Sequence, residues 1–558
     1  MSGGTAASKY IAGVEIIIPK GSTMATATVN GVLTAPSAVD TNVKFPHPAT
    51  VTVVSPNKVT EIVDLSKTGL GNIPTNEKVD NLGMYVDTSG VNYTHPINGL
   101  NLLTGLSKIN LLFGTEAARY TKNKIIEVGN NIVDPYNSMI SSLASSGGNT
   151  KFTLNSGSLT WIATATQNQS TGLLDKVYLA KIPYTVFAVK GDDDTYSFLD
   201  GLEQRYGVKG IGTGEKNLFD KLNNIGKGEP VLFAQAVDEM KGHQYGNIQQ
   251  RINMTGNILD NEFKNLKNEW KTASKSSNKI NVFGTRDKYK TDTAGIADYT
   301  NNAYGVTYLR ENETVRLGNS SGWYAGAVNN NFKFKDLGGS RENQIMIKAG
   351  IFKTMTPEND YNGSLQWITS GDIFLGINEM KRKFFVVDDI FSAKSNYFSY
   401  GTDVKNELGY NIRLGEKASI KPYGALRLGY GRFSKIKEND GEMRLEVKGN
   451  DYYSIKPEMG IQFKFVQPLT ATTNLSLGIT TAYENELGKI NHAGNKAKVR
   501  YTDADWFGIR SEIENRKGNG KFGLNLGLEN SQFGITANLR YDTSGKNIKS
   551  GLGFRLIY

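Results

Sequence analysis

The chain of 558 residues contains no cysteine. Disulfide frameworks, thiolate catalysis and cysteine-based zinc sites are therefore excluded. Only 38% of the residues are hydrophobic, and no stretch reaches about 18 consecutive apolar residues, so the sequence predicts no transmembrane helix. Proline is scarce, with 14 residues, whereas there are 61 glycines, 27 tyrosines and 24 phenylalanines. This composition favours strands that bend at glycines and carry many aromatic side chains.

The end of the chain, residues 521–558, alternates between apolar side chains and small or polar ones. Apolar residues take every second position in three runs: Phe522 to Leu528, Phe533 to Tyr541, and Leu552 to Tyr558. Because successive strand side chains point to opposite faces, each run has one apolar face and one small or polar face. The alternation recurs through nearly half of the chain. This extent predicts a transmembrane β-barrel with lipid outside and a polar lumen.

The same pattern gives 13 strand candidates between residues 279 and 558. They start near Lys279, Ala303, Gly322, Asn343, Leu365, Tyr397, Ser419, Tyr452, Asn474, Asp505, Lys521, Gln532 and Lys549. Single-chain bacterial barrels usually close with an even number of strands, so we predict a 12-stranded antiparallel barrel and expect one candidate to lie outside it. An interfacial aromatic belt is predicted from tyrosines near the strand ends, namely Tyr430, Tyr483, Tyr541 and Tyr558.

Charged residues of these strands fall almost entirely on the face that carries the glycines. A charge that faced lipid at mid-depth would cost about 2–4 kcal/mol, so this face is predicted to line the lumen. The lumen-facing candidates are Glu407, Arg413, Glu458, Lys464, Arg510, Glu512, Arg540 and Arg555.

Residues 206–278 change to helical periodicity. Apolar spacing predicts helices over Glu215–Ile225 and Pro230–Lys241. The following segment, 247–271, is helical in pattern but polar nearly all round, which suits a helix in a polar cavity. A barrel between eight strands, which side chains fill, and 16 strands, which leave a channel, has room for one helix about 10 Å wide. Polar positions of this predicted pore helix are Asn247, Gln250, Asn257, Glu262 and Lys267.

Residues 1–205 are rich in Thr, Asn, Ser and Val, with short β-favouring runs between Gly and Asn turns. Their texture is similar to stacked β-solenoid coils, although no repeat has a fixed period, and a β-sandwich is the alternative. A short helix is predicted near Asn137–Ala144. The sequence therefore divides into a solenoid-like region (1–205), a helical region (206–278) and a barrel (279–558).

Motifs for chemistry are weak, and no catalytic, cofactor-binding or metal site is predicted. Gly318–Gly322 matches G-x-S-x-G, but both flanks read as strands, so a hairpin turn is favoured over a nucleophile elbow. Gly210–Gly214 lacks the Lys-Ser/Thr ending of a phosphate loop and is predicted to be a flexible loop. Asp192–Asp194 lacks the spacing of a calcium loop and is predicted to be a solvated turn. None of the four histidines has H-x-x-x-H spacing, which argues against a zinc protease.

The net charge of +10 is dispersed rather than gathered in one basic run, so nucleic acid is not an expected partner. The first residues lack the basic and apolar regions of a signal peptide. Because export to an outer membrane requires such a signal, the sequence is expected to be part of something longer.

From about Gly214 to Tyr558 the chain resembles the translocation unit of type Va autotransporters. In that family a passenger is followed by a short helical segment, a pore-spanning helix and a 12-stranded barrel that ends in an aromatic residue. The helical segment corresponds here to Glu215–Met240, and the pore helix corresponds to Asn247–Trp270. The first 205 residues are similar in texture to the last coils of a large adhesin passenger.

The resemblance extends to the family's terminal assembly signal, which is a polar residue, a Gly two positions later, and apolar residues three and five positions after that Gly. Gly553, Leu556 and Tyr558 fit this signal, whereas Gly551 takes the polar position. Some family passengers release themselves at an Asn near the pore helix, but the surrounding motif is not recognisable here.

The resemblance implies an outer-membrane translocator that inserts as a barrel and displays its N-terminal passenger at the bacterial surface without being an enzyme. The passenger is expected to be an adhesin. The implied partners are outer-membrane lipid, the barrel-assembly machinery and an unidentified surface ligand or host-cell receptor. Two alternatives stay open: a porin-like or plugged transporter barrel, and an autotransporter that carries an upstream hydrolase.

Overall fold

The computed structural model describes residues 6–11, 14–19, 28–30, 50–52, 80–90, 94–102, 105–145, 150–168, 170–208, 210–269, 276–291, 293, 295–313, 319–488, 494–510, 518–530 and 533–557. Within these ranges only the backbone is described for residues 6–52, 102, 268–269, 276–277, 313, 545 and 555–557. The chain divides into two units. The first unit comprises Met1–Phe187 and Glu203–Gln235, and the second comprises Ala188–Leu202 and Ala236–Tyr558.

The N-terminal part of the chain contains ten strands and four α-helices within the described ranges. They are β1 (Ala6–Ile11), β2 (Val14–Pro19), β3 (Thr28–Asn30), β4 (Thr50–Thr52), β5 (Asn81–Val86), β6 (Lys108–Phe113), β7 (Ile125–Val128), α1 (Asn130–Ser145), β8 (Lys151–Ser156), β9 (Trp161–Gln167), β10 (Leu174–Lys181), α2 (Asp193–Arg205), α3 (Thr213–Asn223) and α4 (Pro230–Met240). Helix α1 confirms the helix predicted near Asn137–Ala144 and is longer than expected.

Three strands of the first unit, β5, β6 and β8, pair in parallel and in register. Leu82, Ile109 and Phe152 stack as one row, and the first two of these side chains are buried. A second sheet, β7-β10-β9, is antiparallel, and β2 joins β5 antiparallel. Such mixed pairing among the described residues does not establish a solenoid, so the solenoid-like passenger stays a prediction.

A buried charged cluster lies at the C-terminal end of β10. Lys181 Nζ lies 2.6 Å from Glu203 Oε2 and 3.5 Å from the centre of the Tyr184 ring. Burial lowers the pKa of the Lys181 ammonium to about 8, although the Glu203 carboxylate opposes this change. Nearby, Arg205 makes two hydrogen bonds of 2.9 and 2.6 Å to Glu215, and both residues are buried.

The second unit contains one long helix followed by sixteen strands in a single sheet. The helix is α5 (Ile248–Glu269), and the strands are β11 (Ser276–Tyr289), β12 (Tyr299–Glu313), β13 (Ser320–Phe334), β14 (Arg341–Met355), β15 (Gly363–Val386), β16 (Asp389–Arg413), β17 (Ala418–Phe433), β18 (Ile436–Gly441), β19 (Leu445–Val447), β20 (Asn450–Pro468), β21 (Thr473–Asn485), β22 (Lys496–Val499), β23 (Phe507–Gly508), β24 (Gly518–Asn530), β25 (Phe533–Asp542) and β26 (Asn547–Ile557).

Twelve of these strands close into an antiparallel barrel. Each pairs with its neighbours from β11 round to β26, and β26 pairs back to β11 from Lys279↔Ile557 to Lys288↔Ile548. This confirms the predicted strand number. The surplus candidate is the one near Asp505, which is the two-residue strand β23 outside the barrel.

The predicted sidedness of the strands is also confirmed. On β24 the outward-facing Leu526 and Leu528 are 45% and 44% exposed, whereas the inward-facing Glu529 is 7% exposed. The other barrel strands alternate in the same way along most of their length, as in β14 and β16. The barrel therefore has an apolar outer surface and a polar inner one.

The two ends of the barrel differ in their connections. At one end the turns are short, as between β20 and β21 or between β24 and β25. At the other end β15 and β16 extend beyond their neighbours, and β18, β19, β22 and β23 add a small sheet to the side of β16. We call residues 381–397, 436–449 and 494–510 the crown. The tyrosines Tyr430, Tyr483 and Tyr541 all lie near the crown ends of their strands and are exposed, whereas Tyr558 lies outside the described residues.

Aromatic side chains lie over glycines of the neighbouring strand on the inner face. Phe374 faces Gly401, where a Cβ atom would also meet the Tyr430 carbonyl. Tyr452 covers Gly431, and Tyr423 covers Gly460 in the same manner. Such pairs fill the space that a strand glycine leaves open and so support the sharply curved wall.

The local motifs take simple structural roles. The predicted solvated turn at Asp192–Asp194 instead begins α2, because Asp192 accepts hydrogen bonds from Thr195 N and Oγ1 at 2.9 and 2.6 Å and so caps the helix. Gly212 precedes the first turn of α3. Strands β12 and β13 pair directly from Glu313↔Ser320, as a hairpin requires, while Gly318 lies outside the described residues. None of the described helices is both long and apolar enough to cross a bilayer.

Candidate functional site: the helix-filled lumen

Helix α5 lies inside the barrel and packs against β11, β12, β13, β14 and β17. Polar residues occupy most of its surface, yet many of them are buried, which is unusual for a helix of this composition. In water such a helix would gain little from packing. Here its polar side chains bond to the charged inner wall, and three groups of contacts hold it.

The first contact group lies near the N-terminal end of α5. Arg251 Nη2 lies 2.6 Å from Glu342 Oε2 on β14, and both side chains are almost completely buried. This contact is an ion pair between two buried side chains. Tyr397 donates its hydroxyl to the other oxygen of Glu342, and Arg251 also donates to the Gln244 carbonyl at 3.1 Å.

The second contact group lies at the middle of α5, and we call it the central clamp. Lys348 Nζ lies 2.6 Å from Asp260 on the helix, 3.0 Å from Asp372 and 3.2 Å from Asp403. Arg427 Nη2 lies 2.7 Å from Asp260 and 2.8 Å from Asp403. Two cations therefore share three carboxylates, and every charge has a partner at contact distance. Pairing of this kind offsets the desolvation of buried charges.

The third contact group joins the segment before α5 to the crown. Arg382 on β15 makes two hydrogen bonds of 2.7 and 2.9 Å to Glu438 on β18, and both side chains are fully buried. Glu438 also accepts a hydrogen bond of 2.9 Å from the hydroxyl of Tyr245. Asn495 exchanges hydrogen bonds of 2.7 and 3.0 Å with Gln249. The crown therefore covers the N-terminal end of the helix.

The predicted pore-helix residues make separate contacts with the wall and with each other. Asn247, just before the helix, accepts from Arg251, and Gln250 accepts from the Tyr299 hydroxyl. Asn257 accepts from Arg427, and Glu262 accepts from Asn281 at 2.8 Å. Lys267 has no hydrogen-bond partner among the described residues.

Four of the predicted lumen-facing residues lie on the inner wall. Glu407 accepts from Lys421 at 3.0 Å, and Glu458 accepts from the Tyr423 hydroxyl at 2.7 Å. Arg540 donates to Asn265 on α5 at 3.2 Å. Lys464 lines a lumenal cavity.

Four other predicted residues are placed differently. Arg413 lies at the short-turn end of β16 and bonds to Asn359 and to the Asp360 carbonyl, both at 2.8 Å. Arg510 does not lie on a barrel strand, because the candidate strand near Asp505 belongs to the crown; it contacts Asp238 at 3.2 Å. Glu512 and the side chain of Arg555 lie outside the described residues.

The terminal assembly signal is described in part. Gly553 on β26 is buried between Phe283 and Thr536 of the adjacent strands. A Cβ atom added there would lie 2.8 Å from Asn281 Oδ1 and 3.0 Å from Thr536 Oγ1, so a side chain has little room. The side chain of Leu556 and all of Tyr558 lie outside the described residues.

The central clamp is the part of the site that sequence reasoning missed as a unit. A signal for it exists in β14. Lys348 lies on the same face of the strand as Gln344 and Met346, and these positions alternate with the outward-facing Ile345 and Ile347. A charge inside such a strand must face the lumen. Parity alone does not say that Asp260 of the helix lies opposite, since that depends on how far the helix is inserted.

A cavity of about 330 Å³ remains in the lumen beside α5. One side of it is formed by the helix, and the other side is formed by residues of β20, β21, β24 and β25, including Gln462, Thr480 and Asn525. The helix therefore does not fill the barrel completely. The space lies along the wall that the helix does not contact closely.

A closed barrel with an apolar outer face and a charged lumen defines a transmembrane β-barrel. Residues 279–540 match the family model described as autotransporter beta-domain. This part of the chain is an autotransporter beta-domain, and its location is the bacterial outer membrane.

Several solved structures are similar to the chain. The translocator domain of the autotransporter NalP from Neisseria meningitidis aligns at 12% identity with a TM-score of 0.41, over 55% of this chain and 95% of that chain. The transport unit of AIDA-I from Escherichia coli aligns at 14% identity with a TM-score of 0.37, over 54% and 97%. The beta domain of the Bordetella autotransporter BrkA aligns at 11% identity with a TM-score of 0.36, over 51% and 99%. Comparison with curated proteins gave no match.

Proposed function

We propose that the barrel exports the N-terminal part of its own chain and anchors it at the cell surface, where that part acts as an adhesin. The observation that carries this proposal is the direction of α5 in the lumen. Its N-terminal end contacts the crown, through Gln249 and Asn495. Its C-terminal half contacts residues near the short-turn ends of their strands, such as Asn281 on β11 and Tyr324 on β13. The chain that precedes the helix therefore leaves the lumen at the crown end.

The crown end is the outer end in this proposal. Outer-membrane barrels have short turns on the periplasmic side and longer loops outside. Strand β11 begins at the short-turn end, and six residues separate it from the end of α5 at Glu269. In this proposal the polypeptide passes once through its own pore, entering the lumen at the crown end and starting the barrel on the periplasmic side. No nucleotide is needed in this mechanism, since folding outside the cell favours outward movement.

The adhesin part of the proposal is supported by the composition and form of the first unit. Its described strands build small sheets with many exposed Thr, Asn and Ser side chains, as in β9 and the hairpin that follows it. A surface of that kind presents hydrogen-bonding groups to a ligand.

The experiment is surface labelling of intact cells. An epitope inserted after Thr171, in the exposed hairpin between β9 and β10, should be reached by antibody without breaking the outer membrane. Leu526→Arg should abolish labelling because it places a charge against lipid, whereas the matched Asn525→Arg, which faces the cavity, should retain it. Equal labelling of the two variants, or labelling only after lysis, would refute the export proposal.

Adhesion is tested separately on cells that label normally. Labelled cells should bind a host-cell layer several-fold better than cells that carry Leu526→Arg. Surface labelling without any gain in binding would refute the adhesin role and leave export standing.

A further inference from the structure

Lys267, in the last turn of α5, carries a buried ammonium group that has no hydrogen-bond partner among the described residues. Its Nζ makes no hydrogen bond or ion pair with any described residue. The ring of Phe352 on β14 lies 4.5 Å from Nζ and gives only a cation–π contact. A buried charge without a counter-charge is strongly unfavourable, so such a group either loses its proton or is matched by an anion.

The carboxylates close enough to attract Lys267 are already used by other cations. They are Glu311 on β12 and Glu407 on β16. Glu311 is paired with Lys279 at 3.0 Å. Glu407 is paired with Lys421 at 3.0 Å and with Lys405 at 3.1 Å.

Lys264, one turn earlier on α5, adds to the positive charge. Its Nζ lies 3.9 Å from Glu407, at the limit of an ion pair, and 4.9 Å from the Tyr423 ring. Lys264, Lys267 and the three lysines paired with Glu311 and Glu407 thus make five cations around these two glutamates. A third glutamate, Glu458, also attracts Lys264 but is paired with Lys521 at 2.8 Å. The cavity beside the helix is lined by Lys264, Lys267 and Lys405, so there is space for a small ion next to the unpaired ammonium.

We propose that this part of the lumen is an oxyanion-binding site, with Lys267 and Lys264 as its principal ligands. The chemical class is a phosphate or a carboxylate, because an ammonium group donates well to charged oxygens. The oxyanion comes either from a free periplasmic ion or from an acidic side chain of a polypeptide in the lumen. This inference concerns a resident site of the folded barrel and does not depend on the adhesin role.

The test is calorimetric titration of the full folded chain, held in zwitterionic detergent micelles at constant ionic strength. Inorganic phosphate is one probe, and an extended peptide with two glutamates is the other, with its glutamine counterpart as control. Lys267→Gln should weaken binding by at least about tenfold, as expected for loss of a charge-assisted contact. Lys394→Gln removes the same charge from the exposed crown and should bind like the unaltered chain.

A second measurement uses the unaltered chain and so does not depend on whether a variant folds. Phosphate should slow amine modification of Lys267, followed by mass spectrometry of peptides, but should not slow modification of Lys394. Phosphate binding that Lys267→Gln removes identifies a free ion as ligand, and binding of the glutamate peptide alone identifies a polypeptide. Absence of binding by both probes, or equal binding by Lys267→Gln and the unaltered chain, would overturn the proposal.

Discussion

Lys348 of β14 and Asp260 of α5 approach to 2.6 Å and join the wall of the barrel to the helix inside it. The same aspartate contacts Arg427 at 2.7 Å, so one helix side chain bridges two wall cations. Asp260 keeps 28% of its side-chain surface exposed to the lumen, whereas Lys348 is fully buried. Removal of the Asp260 carboxylate would therefore leave the cations of Lys348 and Arg427 to share only Asp372 and Asp403.

Asp260→Asn should weaken the attachment of α5 to the barrel wall and lower the free energy of unfolding. Breaking a fully buried pair costs about 3–5 kcal/mol and an exposed pair costs at most about 1 kcal/mol, so for this partly exposed residue we expect about 2 kcal/mol. Guanidinium unfolding of the full chain in micelles measures the change. Asp440→Asn is the matched control, because that aspartate is 70% exposed and pairs with Lys394 on the crown. Equal midpoints for the two variants would contradict the role of the central clamp.

The Arg382–Glu438 pair should be the strongest single attachment of the crown. Arg382→Met leaves the buried Glu438 carboxylate without its main cation, at an expected cost of about 3–5 kcal/mol. The double variant Arg382→Met with Glu438→Leu removes both charges and should recover much of that loss. Hydrogen exchange of β18 and β19 reports the effect locally. If the double variant opens as easily as the single one, the loss comes from packing rather than from charge.

Glycines of the inner wall should differ in tolerance according to what lies over them. Gly401→Ala meets the Phe374 ring and the Tyr430 carbonyl, so we expect a loss of about 1–3 kcal/mol, as for overpacking. Gly523→Ala, on the inner face of β24, meets only ordinary contacts, the nearest being Thr480 Cβ at 3.7 Å, and should be nearly neutral. Refolding yield into micelles and the unfolding midpoint measure both. An equal loss of unfolding free energy in the two variants would show that the backbone freedom of glycine, and not the aromatic side chain over it, determines the tolerance of each position.

The first unit should become more stable as the pH rises from about 8 toward 10. Lys181 gives up its proton near pH 8 when folded, but an unfolded lysine holds its proton to about 10.4, so the unfolded state binds more protons in this window. The free energy of unfolding therefore increases with pH. Above about pH 10 the trend reverses, because burial raises the pKa of Tyr206 to about 12 while unfolded tyrosines titrate near 10.

Fluorescence of the buried Trp161 during urea unfolding of the full chain follows this unit. Lys181→Met should flatten the increase between pH 8 and 10, since it removes the group that titrates. A slope that survives in Lys181→Met would assign the pH dependence to another residue.

The barrel is well predicted from sequence because its physical constraint is simple. Each strand must keep charges off the lipid face, and this rule marks residues such as Leu526 and Glu407 without any knowledge of their neighbours. The alternation alone gives thirteen candidates, and twelve follows from the rule that single-chain bacterial barrels close with an even number of strands. The structure identifies the candidate near Asp505 as the surplus one. That candidate failed because β23 has only two residues and pairs with β22 rather than with a barrel strand.

The crown and the contacts of the helix are poorly predicted for the opposite reason. Glu438 and Arg382 are 56 positions apart, and neither lies in a pattern that marks it as buried. Their meeting depends on the extra length of β15 and β16 beyond the barrel rim. Likewise, Asp260 and Lys348 share a contact only because α5 is inserted to a particular depth, which periodicity does not define.

The presence of α5 in the lumen limits the number of polypeptides that one barrel can export. The helix is covalently continuous with β11 through residues 270–275, and the space left beside it is about 330 Å³. A 12-stranded barrel has room for one helix about 10 Å wide, and α5 already occupies that position. Under the proposed export function, each barrel serves only the polypeptide of which it is a part, so a cell must synthesise one new pore for every copy that it displays.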